Sequence, residues 1–136
     1  MGVTGINHIT LAVHDAEISF AFYTKVLGCT PVAKWPQGAY LLAGTTWIAL
    51  VVDPHARQQP LPEYTHIALH VAPAEFAALA ERIRRAGVAI WQENRTEGES
   101  LYFVDPNGHK LEIHSSDLAA RLRSARATPW EGLEFF

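Results

Sequence analysis

In Asn7-His8-Ile9-Thr10-Leu11-Ala12-Val13 the residues alternate, so that Ile9, Leu11 and Val13 fall on one face of a strand and His8, Thr10 and Ala12 on the other. The pattern returns as Thr65-His66-Ile67-Ala68-Leu69-His70-Val71, with His66 in the place of His8. Behind each strand the period changes to that of a helix. Asp15 is an N-cap ahead of Ile18, Ala21, Phe22 and Val26, an apolar stripe that stops at Gly28. In the second half Pro73 suits the first helical position, Phe76, Leu79, Ala80 and Ile83 follow at helical spacing, and Gly87 ends the run. Strand-like runs come next: Thr30 to Trp35, Tyr40 to Ala43 and Thr46 to Val52, then Val88 to Trp91, Ser100 to Val104 and Lys110 to His114. Each half reads βαβββ, which predicts two copies of one α+β unit in a single domain.

The first module is expected over about 3–53 and the second over about 64–114, joined by the Pro-containing stretch Asp53 to Glu63. A short helix, Asp117 to Arg126, and a tail ending in Trp130 to Phe136 make up the remainder, 115–136.

Related modules often pack about a pseudo-twofold axis, so His8 and His66 are expected to converge, as imidazoles must to bind a transition metal. His70 aligns with Ala12 and has no such counterpart. A third ligand should come from the last strand, where Lys110, Glu112 and His114 alternate against Leu111 and Ile113. Glu112 is the better candidate, because a carboxylate between apolar neighbours on a central strand is costly unless paired or bound to a cation, whereas His114 can reach solvent. Aligning Gly44 with Gly108 sets Ile48 against Glu112, so the first module lacks the matching carboxylate. Two histidines and one carboxylate leave open coordination positions, which suits Mn, Fe(II), Ni or Zn in catalysis rather than a closed structural site.

With 136 residues, 49% of them hydrophobic, the chain can bury a core. A formal charge of −3 and the lack of a long basic run argue against nucleic acid or an anionic membrane as partner and favour a small molecule. No apolar run approaches the roughly 20 residues of a membrane span, no secretory signal pattern opens the chain, and a single cysteine, Cys29, permits no internal disulfide. A soluble, cytoplasmic protein is expected.

Thr10 shares a strand face with His8 and is placed to touch a metal-bound substrate. The wholly polar Asn94-Arg95-Thr96-Glu97-Gly98-Glu99-Ser100 reads as a hairpin loop that could also wrap a hard cation. Asp105-Pro106-Asn107-Gly108 reads as a plain turn with a structural role only. Tyr40, Trp47, Tyr64 and Tyr102 lie on or beside strands, and Arg121 in the terminal helix is a surface cation or a fold-back anion contact.

Two βαβββ units resemble the vicinal-oxygen-chelate (glyoxalase/bleomycin resistance) fold, in which paired modules form a cupped sheet. The segments Asn7 to Val13, Trp35 to Tyr40, Tyr64-Thr65-His66, Asn94 to Gly98, Tyr102-Phe103 and Asp105 to Glu112 together resemble the manganese-dependent fosfomycin–glutathione transferases. The resemblance implies a domain-swapped homodimer that adds glutathione to the epoxide of fosfomycin. His8 of one subunit would join His66 and Glu112 of the other as Mn2+ ligands. It implies Thr10 and Tyr40 in the catalytic set, Trp47, Tyr64, Gln92, Arg95, Tyr102 and Arg121 about the substrate, and Trp35, Gln37 and Tyr40 near the thiol. Asn94, Thr96, Glu97, Gly98 and Ser100 would form a K+ loop. Gln92 stands where the family carries a lysine, a change that weakens an anion contact by about 1.5–3 kcal/mol. The alternatives are a relative acting on another small epoxide or oxyanion, an extradiol dioxygenase, and a metal-free drug-sequestering protein of the same fold.

Overall fold

The computed structural model describes residues 1–136. In chain order the elements are β1 (His8–Val13), α1 (Ala16–Ala21), β2 (Thr30–Trp35), β3 (Gly38–Ala43), β4 (Thr46–Val52), β5 (Ile67–His70), α2 (Pro73–Arg85), β6 (Ile90–Gln92), β7 (Ser100–Val104), β8 (Lys110–His114) and α3 (Leu118–Ala127). They form two four-stranded sheets with the same topology, β1-β4-β3-β2 and β5-β8-β7-β6. In each, the first strand runs parallel to the last and the others are antiparallel. The duplication read from the sequence is therefore the architecture. The linker holds neither helix nor strand, and no helix is long and apolar enough to cross a membrane.

The first helix departs from expectation. Asp15 caps α1 by accepting from the Ile18 amide at 3.0 Å, but after Ala21 the helix widens into a π-helical turn, Phe22–Val26. Within the wider turn both Phe22 and Tyr23 are buried, so Tyr23 joins the core beside the expected stripe residue Phe22. The second helix has Pro73 in its first turn as predicted, and α3 starts from Asp117, whose carboxylate accepts from the Ala120 amide at 2.8 Å.

The core lies on the helix-facing sides of both sheets. Leu11, Val13, Leu41, Ile48 and Leu50 from one sheet and Leu101, Phe103, Leu111 and Ile113 from the other close around Phe22, Tyr23, Ala80 and Ile83. The opposite faces are left to His8, Thr10, Trp47 and Tyr40 in the first sheet and to His66, Glu112 and Tyr102 in the second.

Strand register corrects one alignment. Ile9 pairs with Ile48 and Tyr40 with Ala49, while Ile67 pairs with Leu111 and Tyr102 with Glu112. The counterpart of Glu112 is thus Ala49, not Ile48, and Ile48 is a core residue matching Leu111. The cause is turn length: Leu42 and Trp47 enclose four residues, whereas Val104 and Lys110 enclose five, so matching Gly44 to Gly108 slips the strand by one. The first module still carries no carboxylate at this position.

The longer turn has more than the plain structural role expected of it. Asp105, Asn107 and His109 are buried and tie the modules together. Tyr23 Oη donates to Asp105 Oδ2 at 2.7 Å, Asn107 Oδ1 accepts from the His14 amide at 2.9 Å, and His109 Nε2 donates to the Ala12 carbonyl at 2.8 Å.

Candidate metal and substrate site

His66 sits one residue before β5 and Glu112 at the centre of β8, and their side chains meet: Nε2 lies 3.1 Å from Oε1. Hydrogen-bond arithmetic fixes the roles. His66 Nδ1 lies 2.9 Å from the Tyr64 carbonyl, which only accepts, so Nδ1 carries a proton and Nε2 is the nitrogen turned to Glu112. At 3.1 Å from Glu112 Oε1, Nε2 is joined to it either by its own proton or by a cation that replaces that proton. Donors bonded at about 2.1 Å to one small cation, at about a right angle, stand about 3.0 Å apart. The pair therefore fits a divalent metal, and Glu112, with its side chain 8% exposed, is held where an unpaired carboxylate is disfavoured.

Aromatic groups wall the pair. Tyr64 and Tyr102 approach the His66 ring at centroid distances of 5.0 and 5.9 Å. Gln92 Nε2 donates to Tyr64 Oη at 3.0 Å, and Gln92 is in register with Tyr102. The sequence reading missed Trp91. A register shift in β6 lets it pack on His66 at 5.2 Å, on Tyr102 at 5.2 Å and beneath Lys110 Nζ at 5.1 Å, with its N–H donated to the Leu111 carbonyl at 3.0 Å. Strict alternation sets neighbouring residues such as Trp91 and Gln92 on opposite faces, and an irregularity of this kind leaves no mark in a two-residue period.

The remaining predicted residues fall into two groups. On the first sheet, His8 is exposed and stacks on Trp47 at 4.3 Å, Trp47 meets Tyr40 at 5.2 Å, and Tyr40 meets Trp35 at 4.9 Å. Thr10 pairs with Ala49, which pairs with Tyr40, so these three form one row across the sheet. The Trp47 N–H is buried without a partner. Gln37 lies in the β2–β3 turn, its carbonyl accepting from the Val52 amide at 2.9 Å. His8 does not complete a group with His66 and Glu112 within one chain: no three or more His, Cys, Asp or Glu side chains here come together as a metal site.

The second group is the loop before β7. Asn94 closes it, Nδ2 donating to the Gly98 carbonyl at 2.8 Å and Oδ1 accepting from Thr96 N and Oγ1. Glu97 accepts from Ser116 Oγ at 2.8 Å and faces Arg121 Nε across 3.7 Å, so Arg121 is engaged by the loop, while Arg95 is exposed. Ser100 turns its hydroxyl away from the loop, to Glu112 Oε2 and His114 Nδ1, each at 2.6 Å. A cavity of about 1190 Å³ follows residues 66–72 and α2; it reaches His66 but neither Glu112 nor Tyr102.

Residues 5–113 match the model of the Glyoxalase/Bleomycin resistance protein/Dioxygenase superfamily. The chain belongs to this superfamily. It is 47% identical over 133 residues to glutathione transferase FosA of Serratia marcescens, covering 96% of this chain and 94% of that protein. It is 38% identical over 125 residues to metallothiol transferase FosB of Shouchella clausii (strain KSM-K16), covering 88% and 86%. Among superfamily structures, a Listeria monocytogenes fosfomycin resistance protein, FosX, complexed with Mn(II) and 1S,2S-dihydroxypropylphosphonic acid superposes with a TM-score of 0.77 at 26% identity, over 89% of this chain and 99% of that one.

Proposed function

We propose that this chain is a metal-dependent transferase that opens the epoxide of fosfomycin with glutathione, and that it acts as a homodimer in which the partner subunit's His8 completes the ligand set begun by His66 and Glu112. The observation that carries the reading is the 3.1 Å approach of an imidazole nitrogen to a buried carboxylate oxygen, a donor set and spacing that fit a divalent cation. Two facts support the dimer. A single chain supplies two ligands where three are needed, and β1 and β5, the strands beside His8 and His66, are both free sheet edges. The relation to FosA and FosB supports a thiol as nucleophile.

A divalent cation such as Mn2+, held by these residues, supplies Lewis-acid polarisation of the epoxide oxygen and positive charge for the phosphonate. The protein's own groups do the rest. Because Tyr64 Oη already accepts from Gln92, its proton is free for a phosphonate oxygen, and Tyr102 lies beside it on the same wall. The Trp35–Tyr40–Trp47 strip leads toward His8 and Thr10 and guides the thiol to the open face of the epoxide. There sulfur forms the bond to carbon, the carbon–oxygen bond breaks with its electron pair going to oxygen, and that oxygen takes up the proton the thiol released. The 94–98 loop is the proposed K+ site; a cation taking the Gly98 carbonyl displaces the Asn94 amide from it.

Purified protein mixed with fosfomycin, glutathione, Mn2+ and K+ is expected to give the thiol adduct by mass spectrometry, and metal-free protein and H66A are expected to give none. Absence of adduct from protein that binds Mn2+ redirects the search to other epoxides or oxyanions. Gln92→Lys sharpens this: a neutral amide in a cationic position weakens anion binding about tenfold to a hundredfold, so Q92K is expected to lower the fosfomycin KM by that factor. An unchanged KM rules fosfomycin out as the substrate that shaped this wall.

A further inference from the structure

Glu112 has two oxygens, and the structure gives them different partners. Oε1 faces His66 Nε2 at 3.1 Å, whereas Oε2 lies 2.6 Å from Ser100 Oγ. Ser100 Oγ is in turn 2.6 Å from His114 Nδ1, and the same nitrogen is 3.1 Å from the Glu99 carbonyl. His114 Nδ1 is 3.5 Å from Glu112 Oε2, so the hydroxyl is the closer link between them.

The protons order this chain. A carbonyl only accepts, so the Glu99 contact places a proton on His114 Nδ1. Ser100 Oγ shares that proton as an acceptor, which leaves its single hydroxyl proton for Glu112 Oε2. The sequence runs one way, from His114 N–H through Ser100 O–H to the carboxylate. Nothing in it can rotate without losing a short hydrogen bond. His114 is itself seated by the loop: Gly98 has φ +81°, and a Cβ there would stand 3.0 Å from His114 Cε1 and 2.6 Å from Ser116 Cβ.

We infer that Ser100 and His114 are positioning residues: they pin one oxygen of Glu112 so that the other is presented, as a single donor, beside His66 Nε2. The inference rests on the metal reading above and assigns His114 a role beyond that of a solvent-reaching strand residue. It also gives the Ser100 hydroxyl a role toward Glu112. Removal of a group that orients a metal-binding carboxylate typically weakens metal affinity about 10- to 100-fold.

The test is Mn2+ binding, followed by loss of the free-ion signal in electron paramagnetic resonance, for the wild-type chain, H114L, H114N, S100A and the S100A/H114L pair. H114L is expected to weaken binding by about tenfold or more. H114N, whose side-chain amide can donate from near the Nδ1 position, should stay within about threefold of wild type, because it restores the donor. In the S100A background the further loss from H114L should vanish, since the relay is already cut. Wild-type affinity in H114L, or losses from H114L and S100A that simply add, overturns the inference. Should H114L fail to fold, S100A alone decides, because it removes a single oxygen: unchanged Mn2+ affinity overturns the relay. Failure of wild-type protein to bind Mn2+ sinks the metal reading and this one together, whereas tight wild-type binding with insensitive variants sinks this one only.

Discussion

Tyr23→Phe removes one oxygen from the most enclosed polar contact between the modules. Tyr23 is fully buried and Asp105 is 3% exposed, with 2.7 Å between Oη and Oδ2. The other carboxylate oxygen accepts from the amides of Asn107 and His109, both at 2.9 Å, so Tyr23 is the donor that serves Oδ2. Phenylalanine keeps the ring and its edge contact with Phe22 at 5.4 Å but leaves Oδ2 without a proton donor. A lost hydrogen bond to a charged, buried acceptor costs about 1.5–3 kcal/mol. With an unfolding entropy of about 2.1 cal/mol/K per residue, a chain this long loses about 0.3 kcal/mol per degree near its midpoint, so the midpoint should fall by about 5–10 °C. Circular-dichroism melts of wild type and Y23F at neutral pH measure it. A shift of under about 1 °C would show that Asp105 is satisfied by other means and refute the account of the turn as a tie between modules.

Gly108 has φ +90°, and a side chain there would collide with the Gln59 carbonyl carbon and lie 2.7 Å from the Gln59 Cα, whereas Gly44, at φ +60°, has open space around it. Gly108→Ala should therefore lower the melting midpoint well beyond Gly44→Ala, since both carry conformational strain of about 1–3 kcal/mol but only one meets backbone; equal shifts would refute the close packing of the linker on the turn. Burial pushes the Cys29 thiol from an ordinary 9.0 up to about 11, which lowers its thiolate population about a hundredfold at neutral pH. Labelling of folded protein by a thiol reagent should be slower than that of urea-unfolded protein by about this factor or more, and a matching rate would contradict the burial. Burial, followed by the Asp105 charge, raises the Tyr23 phenol as well, so both groups favour their neutral forms in the fold. Their stabilisation is complete below the ordinary values and is lost on raising the pH; the Cys29 contribution should fade between pH 9.0 and about 11, detectable as a lower urea midpoint.

The repeat was legible because it is a pattern of local chemistry. Period-two alternation, helix caps at Asp15 and Asp117, and Pro73 in the first turn of α2 are set by neighbours in sequence, and the structure has these elements at nearly the expected bounds. The pairing of His66 with Glu112 was within reach for the same reason: each lies on the non-core side of a strand whose face is fixed by flanking Ile and Leu.

Other features depend on distances that one-dimensional spacing does not contain. The one-residue difference between the β3–β4 and β7–β8 turns moved Glu112 from a match with Ile48 to a match with Ala49, since a strand carries side chains to alternate faces and any slip exchanges them. The irregularity in β6 put Trp91 against His66. Packing of the helices made Tyr23 and Asp105, 82 positions apart, share a proton. Sequence by itself determined the two βαβββ units and the residue types that could bind a metal, because periodicity and side-chain chemistry are local. Only the tertiary structure decided which oxygen of Glu112 faces His66 and which is tied to Ser100 and His114, and that one chain brings two of the three candidate ligands together, because these follow from how strands register and sheets close in space.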